Sequence, residues 1–71
     1  MNLREARFRK GITQWDLRMR TGIQQTRISL IERGYLRPSE TEVKKFAKAL
    51  GVKPTELQFE SYGLGKSQIS G

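Results

Sequence analysis

The apolar residues of this chain recur every three to four positions, the period of an α-helix, rather than at the alternating positions of a strand. The strongest pattern lies between Ser39 and Gly51. Its apolar positions in i, i+3, i+4, i+7 register are Val43, Phe46, Ala47 and Leu50. Ser39 with Glu42 three residues later forms a capping box, and Gly51 is suited to end the helix. This segment therefore predicts an amphipathic helix.

Similar signals predict four more helices. The predicted helices cover about residues 2–10, 14–21, 24–33, 40–50 and 54–59. Thr13 and Asp16 form a second capping box, and Pro54 suits the first position of the short fifth helix. The pattern thus predicts an all-α fold, a compact five-helix domain over residues 1–60. Residues 61–71 contain several glycines and serines without a period, which predicts a flexible C-terminal tail.

The second and third predicted helices are joined by a short turn at Thr21-Gly22-Ile23, as in a helix-turn-helix. A step of about 100° per residue divides the third helix into two faces. The outward strip consists of Gln25, Thr26, Ser29, Leu30 and Arg33, and the inner side consists of Gln24, Ile28 and Ile31. An apolar inner side can hold this helix on a small core while its polar strip enters the major groove of double-stranded DNA.

Fourteen basic against seven acidic residues give the chain a net charge of +7. Residues 1–37 hold nine of the basic and three of the acidic residues. The half of the chain that contains the third predicted helix therefore attracts a polyanion such as nucleic acid. The chain has no cysteine and no histidine, so no disulfide, metal site or cofactor is expected. It has no apolar run long enough for a signal peptide or membrane span, which makes a cytoplasmic location the default expectation.

Several short motifs follow one another between residue 2 and about residue 58. They are Arg7, Gly11-Ile12-Thr13-Gln14, Leu17, Gly22-Ile23, Ile28, Ile31-Glu32-Arg33-Gly34, Pro38-Ser39 and Phe46-Ala47-Lys48-Ala49-Leu50-Gly51-Val52. Together they resemble the XRE family, the Cro and phage-repressor type of helix-turn-helix proteins. The resemblance implies a lambda-repressor-like domain whose third helix enters the major groove. It also implies a homodimer on an inverted-repeat operator, acting as a transcription regulator and more typically a repressor.

The candidate base contacts lie on and beside the outward strip of the third helix. They are Gln25, Thr26, Arg27, Ser29 and Leu30. The amide of Gln25 can pair with adenine N6 and N7, and Leu30 can pack on thymine methyl groups. A solvated glutamine and an ordinary exposed leucine are the alternatives. Arg27 lies on the flank of the helix, from which it can reach either a base edge or the phosphate backbone.

Candidate phosphate contacts surround this helix. They are Gln14, Arg9, Lys10, Arg18 and Arg37. The resemblance implies that Gln14 bonds a phosphate and braces the first side chain of the reading helix, whereas Arg9, Lys10 and Arg37 are equally compatible with solvated surface charges. Arg18 replaces the usual alanine of the family, so either the two helices cross more widely or its head is directed to the DNA backbone. Trp15 either flanks phosphates or contacts a protein.

Two further assignments concern structure and assembly. The resemblance implies a partly buried salt bridge between Arg7 and Glu32 that ties the first helix to the third. The candidate dimer surface consists of apolar residues without a certain place in the core, although some of them can simply cover the fifth helix. These residues are Tyr35, Leu36, Phe59 and Tyr62.

The sequence favours a sequence-specific DNA-binding transcription regulator over three alternatives. The first is an antitoxin or accessory regulator whose helix-turn-helix domain also binds a protein partner. The second is a pure protein-interaction domain, which the basic half of the chain argues against. An enzyme is the third, and the scattered serine, lysine and aspartate residues show no nucleophile–base spacing that would support one.

Overall fold

The structure, a computed structural model, describes residues 1–59. Four α-helices follow one another, and a short 3-10 helix comes after them. Their bounds are α1 Leu3–Lys10, α2 Gln14–Thr21, α3 Gln25–Glu32, α4 Glu40–Leu50 and the 3-10 helix Pro54–Glu56. No strand is present among the described residues, so the all-α prediction is confirmed there. The predicted tail at 61–71 lies outside them.

The predicted fifth helix at about 54–59 is not confirmed at that length, since only a short 3-10 helix forms at Pro54–Glu56. The Leu57 amide bonds to the Pro54 carbonyl three residues back at 3.2 Å. The next amide, of Gln58, bonds to the Met1 carbonyl at 2.8 Å instead of continuing the helix. Because each amide donates one principal hydrogen bond, this pairing with the start of the chain ends the helical segment early.

Local capping sets where α1, α2 and α4 begin. Thr13 and Asp16 form the expected capping box at the start of α2, and Ser39 and Glu42 form the one at the start of α4. A third box, Asn2 with Glu5, begins α1. Each cap satisfies backbone N–H groups that have no partner inside the helix, which is typically worth about 1 kcal/mol.

The turn between α2 and α3 is closed by Gly22 and the hydroxyl of Thr21. Gly22 has φ of +77°, a left-handed conformation that glycine adopts without a Cβ clash. The buried Thr21 hydroxyl donates to the Leu17 carbonyl at 2.7 Å and accepts from the Ile23 amide at 3.1 Å. The family resemblance implies a leucine at this position. The hydroxyl here fits because both of its hydrogen bonds are made locally.

The core lies between the helices, and every α-helix contributes to it. Its buried apolar residues are Leu3, Ala6, Ile12, Leu17, Ile23, Ile28, Ile31, Phe46, Ala47, Leu50 and Leu57. Ile28 and Ile31 hold the inner face of α3 against this core, as the helical pattern predicted. Gln24 does not belong to the inner face. It is exposed, because it is the N-cap residue and its extended backbone places it outside the helical angles.

Candidate nucleic-acid interface

The outer face of α3 carries most of the residues expected to read DNA. Gln25 and Thr26 are exposed, whereas Ser29 and Leu30 are half-buried. A shallow surface depression gathers these side chains with Gln14 of α2 and with Arg33. Its lining is Gln14, Gln25, Thr26, Ser29, Leu30 and Arg33. The structure therefore brings together residues of α2 and α3 that the sequence placed at one interface.

Gln14 connects the start of α2 to both ends of α3. Its amide nitrogen donates to Glu32 Oε1 at 3.1 Å, and its amide oxygen accepts from Gln25 Nε2 at 3.5 Å. The second bond is long and therefore weak. Because Glu32 fixes the amide of Gln14, the oxygen is directed toward Gln25. The first side chain of α3 thus has a weak hydrogen bond to Gln14 of α2, the residue for which the family resemblance implied a bracing role.

The pair expected between Arg7 and Glu32 is present and almost inaccessible to solvent. Arg7 Nε donates to Glu32 Oε2 at 2.6 Å and Nη2 donates to Oε1 at 3.0 Å. The two side chains are 8% and 4% exposed. Arg7 Nη1 also donates to the Ile12 carbonyl at 3.0 Å. The guanidinium therefore bonds α1 to the last residue of α3 and to the loop before α2.

Arg27 has a partner that the sequence analysis missed. Its Nε and Nη2 atoms donate to the two carboxylate oxygens of Glu42 at 2.6 and 3.0 Å. The hydrogen bond from Arg27 lowers the pKa of Glu42, and the bond from Glu42 raises the pKa of Arg27. Arg27 is thus paired with Glu42 of α4 while its side chain stays 41% exposed, so a base contact by Arg27 competes with this ion pair. The pair joins helices whose relative placement no local spacing indicates.

The remaining expected phosphate contacts are surface residues. Arg9 and Lys10 are exposed in the last turn of α1, and Arg37 is exposed in the loop between α3 and α4. None of the three forms a salt bridge within residues 1–59. Arg33, which the sequence analysis placed on the outward strip without a role, lies with its Cζ atom 5.2 Å from the centre of the Tyr35 ring.

Arg18 and Trp15 stack on each other on the surface of α2. The Arg18 Cζ atom lies 4.9 Å from the centre of the indole ring, and Trp15 is 53% exposed. Arg18 as a whole is half-buried. Its guanidinium lies over the indole, and the spacing of three residues makes this contact possible within one helix.

The candidate dimer residues separate into two groups. Leu36 and Phe59 pack against the core, and the Phe59 ring centre is 6.3 Å from that of Phe46. Tyr35 is 49% exposed and remains a surface candidate. Tyr62 lies outside the described residues.

Residues 1–59 carry neither a cluster of metal-ligating side chains nor a membrane-spanning helix. No three of their aspartate and glutamate side chains gather closely enough to hold a metal ion. None of their helices is both long and apolar enough to cross a membrane.

Two comparisons with known proteins agree with this geometry. A family model described as "Helix-turn-helix" matches residues 3–57, which include all four α-helices. A relative from Sinorhizobium fredii (strain NBRC 101917 / NGR234), described as the uncharacterized HTH-type transcriptional regulator y4dJ, is 38% identical over 56 residues. The aligned segment covers 79% of this chain and 73% of that relative.

Proposed function

Because the chain belongs to the XRE-type helix-turn-helix family of DNA-binding transcription regulators, we propose that it reads a specific double-stranded DNA operator with α3 in the major groove. The observation that carries this proposal is the polar outer face of α3, with its first side chain oriented by Gln14. A side chain held in place before binding loses less conformational freedom on the DNA. Residues 1–60 form the proposed DNA-binding domain, and no catalytic role is assigned to any of them.

Base reading is assigned to the exposed and half-exposed residues of α3. Gln25 is proposed to pair with an adenine, the hydroxyls of Thr26 and Ser29 to bond base edges or nearby phosphates, and Leu30 to contact a thymine methyl. Arg27 already donates two of its N–H groups to the Glu42 carboxylate. It joins the base-reading residues only where its contact with the DNA is more favourable than this ion pair. Specificity therefore rests mainly on the first two turns of α3.

Backbone binding is assigned to the residues that flank α3. They are Gln14, Arg9, Lys10, Arg18 and Arg37. The four basic residues carry charges that no carboxylate neutralises within residues 1–59. Each such charge that meets a phosphate releases a counterion, so this part of the affinity depends on salt and not on base sequence.

The regulator is proposed to repress transcription as a homodimer that occupies an inverted repeat. Two copies of α3 then enter successive major grooves about 34 Å apart, one helical turn of DNA. Tyr35, near the start of the loop that leaves α3, is the described residue proposed for the dimer surface. Occupancy of the operator blocks access to the promoter and requires no ligand-binding domain.

A second candidate is an accessory regulator, such as an antitoxin, that binds a protein partner as well as DNA. The observation favouring it is the exposure of two large apolar side chains, Phe8 at 63% and Met19 at 64%. Exposed apolar surface of this kind is typical of protein contacts when it is contiguous.

The proposal is tested by selecting bound duplexes from a random pool at near-physiological salt. Wild type is expected to enrich an inverted repeat. A Gln25→Ala/Ser29→Ala variant should lose preference at the bases that these residues read. The control is Lys48→Ala, which removes a charge of α4 that lies beside Arg20, and this variant should enrich the same repeat as wild type. No enrichment by wild type, or an unchanged motif in the double variant, would overturn the proposal.

A further inference from the structure

We propose that Trp15 and Arg18 together form a DNA-backbone contact on the flank of α2, in which the indole packs on a deoxyribose and the guanidinium binds the adjacent phosphate. The inference rests on the proposed function, since it requires α3 to occupy the major groove. The inference selects a DNA-backbone contact over a protein contact for Trp15, and it adds the indole to the phosphate contact already assigned to Arg18.

The stack itself is the first observation. The Arg18 guanidinium carbon is 4.9 Å from the centre of an indole ring that is half exposed to solvent. Within the described residues, no carboxylate pairs with Arg18. The indole therefore restrains the arginine without neutralising its charge. Arginine that is restrained yet unneutralised is well suited to bidentate binding of a phosphate.

The direction of the pair follows from the helix angles of α2. Leu17 and Thr21 point into the core, and a step of about 100° per residue then places Gln14, Arg18 and Trp15 in that order along one flank. That flank faces α3, because Gln14 bonds both Glu32 and Gln25. The other flank faces α4, because Arg20 on that side donates to the Ala49 carbonyl at 3.3 Å. Trp15 and Arg18 therefore lie on the side of α2 nearest the reading helix.

The dimensions of B-DNA determine what this flank meets. The major groove is about 12 Å wide, and a helix with its side chains is about 10–12 Å across, so α3 fills the groove. A neighbouring helix packs about 8–10 Å from it and lies over the sugar-phosphate strand that borders the groove. Side chains on the flank of α2 that faces α3 therefore meet backbone rather than bases. The negative charge of a phosphate is complementary to the unpaired positive charge of Arg18, and the apolar face of a deoxyribose can pack on the indole.

The same angles separate this pair from a protein-binding surface. Met19 points directly away from the Leu17 and Thr21 side of α2 and is more exposed than Trp15. A protein partner of α2 would be centred on Met19, whereas the stack is displaced from it toward α3. The charge of Arg18 over the ring also favours an anionic partner.

Intrinsic fluorescence and charge-matched variants test the inference. Trp15 is the one tryptophan of the chain, so its emission reports on this contact alone. Saturating wild type with its selected operator, and with a random duplex, is expected to change that emission. Arg18→Gln should weaken binding to both duplexes about fivefold at 0.15 M salt and reduce the salt slope by about one, the effect of one phosphate contact. Affinities are measured by anisotropy of labelled DNA.

The control is Arg20→Gln, which removes one charge from the opposite flank of the same helix and should leave the salt slope unchanged. Arg18→Lys is expected to recover the slope but only part of the affinity, because a lysine keeps the charge and loses the planar stack. Trp15→Ala should weaken both duplexes alike, with helix content checked by circular dichroism.

The inference is overturned if Arg18→Gln behaves like Arg20→Gln, or if the emission of Trp15 is unchanged on a saturated operator. Unchanged DNA affinity in Trp15→Ala also overturns it, in favour of a protein contact. These outcomes differ from failure of the proposed function, in which wild type enriches no duplex at all.

Discussion

Replacing Glu32 with alanine removes the carboxylate that joins three helices. That carboxylate accepts from Arg7 Nε and Nη2 at 2.6 and 3.0 Å and from Gln14 Nε2 at 3.1 Å. Without it, the Arg7 side chain keeps its contact with the Ile12 carbonyl but remains a buried charge, only 8% exposed, without a counterion. The Gln14 amide also loses the bond that orients it toward Gln25.

The cost of this change is large in comparison with the stability of so small a domain. Breaking a buried ion pair by removing one partner costs about 3 to 5 kcal/mol. A domain of this length is stabilised by about 4 to 11 kcal/mol in total, at about 0.05 to 0.15 kcal/mol per residue. Since 1 kcal/mol changes the Tm of such a domain by about 4 to 8 °C, we expect Glu32→Ala to lower it by roughly 12 to 40 °C.

Urea unfolding followed by circular dichroism at 222 nm measures this cost. Glu40→Ala is the matched control, because Glu40 is exposed in α4 and forms no salt bridge within residues 1–59. Its effect should stay within about 0.5 kcal/mol. Replacing the pair together, as Arg7→Met with Glu32→Leu, should recover most of the loss, since no unpaired charge is then buried. A Glu32→Ala variant within about 1 kcal/mol of Glu40→Ala would refute the reasoning.

Three further predictions concern DNA reading, backbone binding and pH. Gln25→Ala should cost about 1 to 3 kcal/mol on the selected operator and relax preference at one base, measured by anisotropy on single-base operator variants. An equal loss on every variant would mean that this residue does not read a base. Arg37→Ala should weaken all duplexes alike and reduce the salt slope by about one, whereas the slope of Lys48→Ala should match wild type. The bond from Arg27 lowers the pKa of Glu42 below its ordinary 4.5, so the pair stabilises the fold above about pH 4.5 and is lost as the pH falls through the folded pKa. Unfolding free energy between about pH 5 and pH 3 should therefore fall more steeply in wild type than in Glu42→Gln, and parallel curves would contradict the role of this pair.

The helices were largely predictable because their signals are local. The bounds of α2 follow from Thr13, Asp16 and Gly22, all of which act within one or two turns of the helix they delimit. The inward positions of α4 follow in the same way from its period. The stack of Arg18 on Trp15 could also have been found from the spacing of three residues, since such residues are neighbours on a helix.

The pattern failed where a residue's partner is distant in the chain. The fifth helix ends early because Gln58 bonds to Met1, and Arg27 turns to α4 because Glu42 lies beside it in space. Neither contact leaves a periodic trace, since each depends on where two separate segments meet. Gln24 illustrates a different limit, because helical angles hold only from Gln25 onward and Gln24 is the extended N-cap residue one position earlier.

The sequence by itself therefore determined the helices, the helix-turn-helix and its family, and the polar face expected to read DNA, because capping, period and motif spacing act over a few residues. Only the tertiary structure decided which of those side chains are braced, paired or left exposed. The packing of α2, α3 and α4 orients Gln14 toward Gln25 and binds Arg27 to Glu42. Such outcomes depend on how helices pack in three dimensions, which no local pattern along the chain specifies.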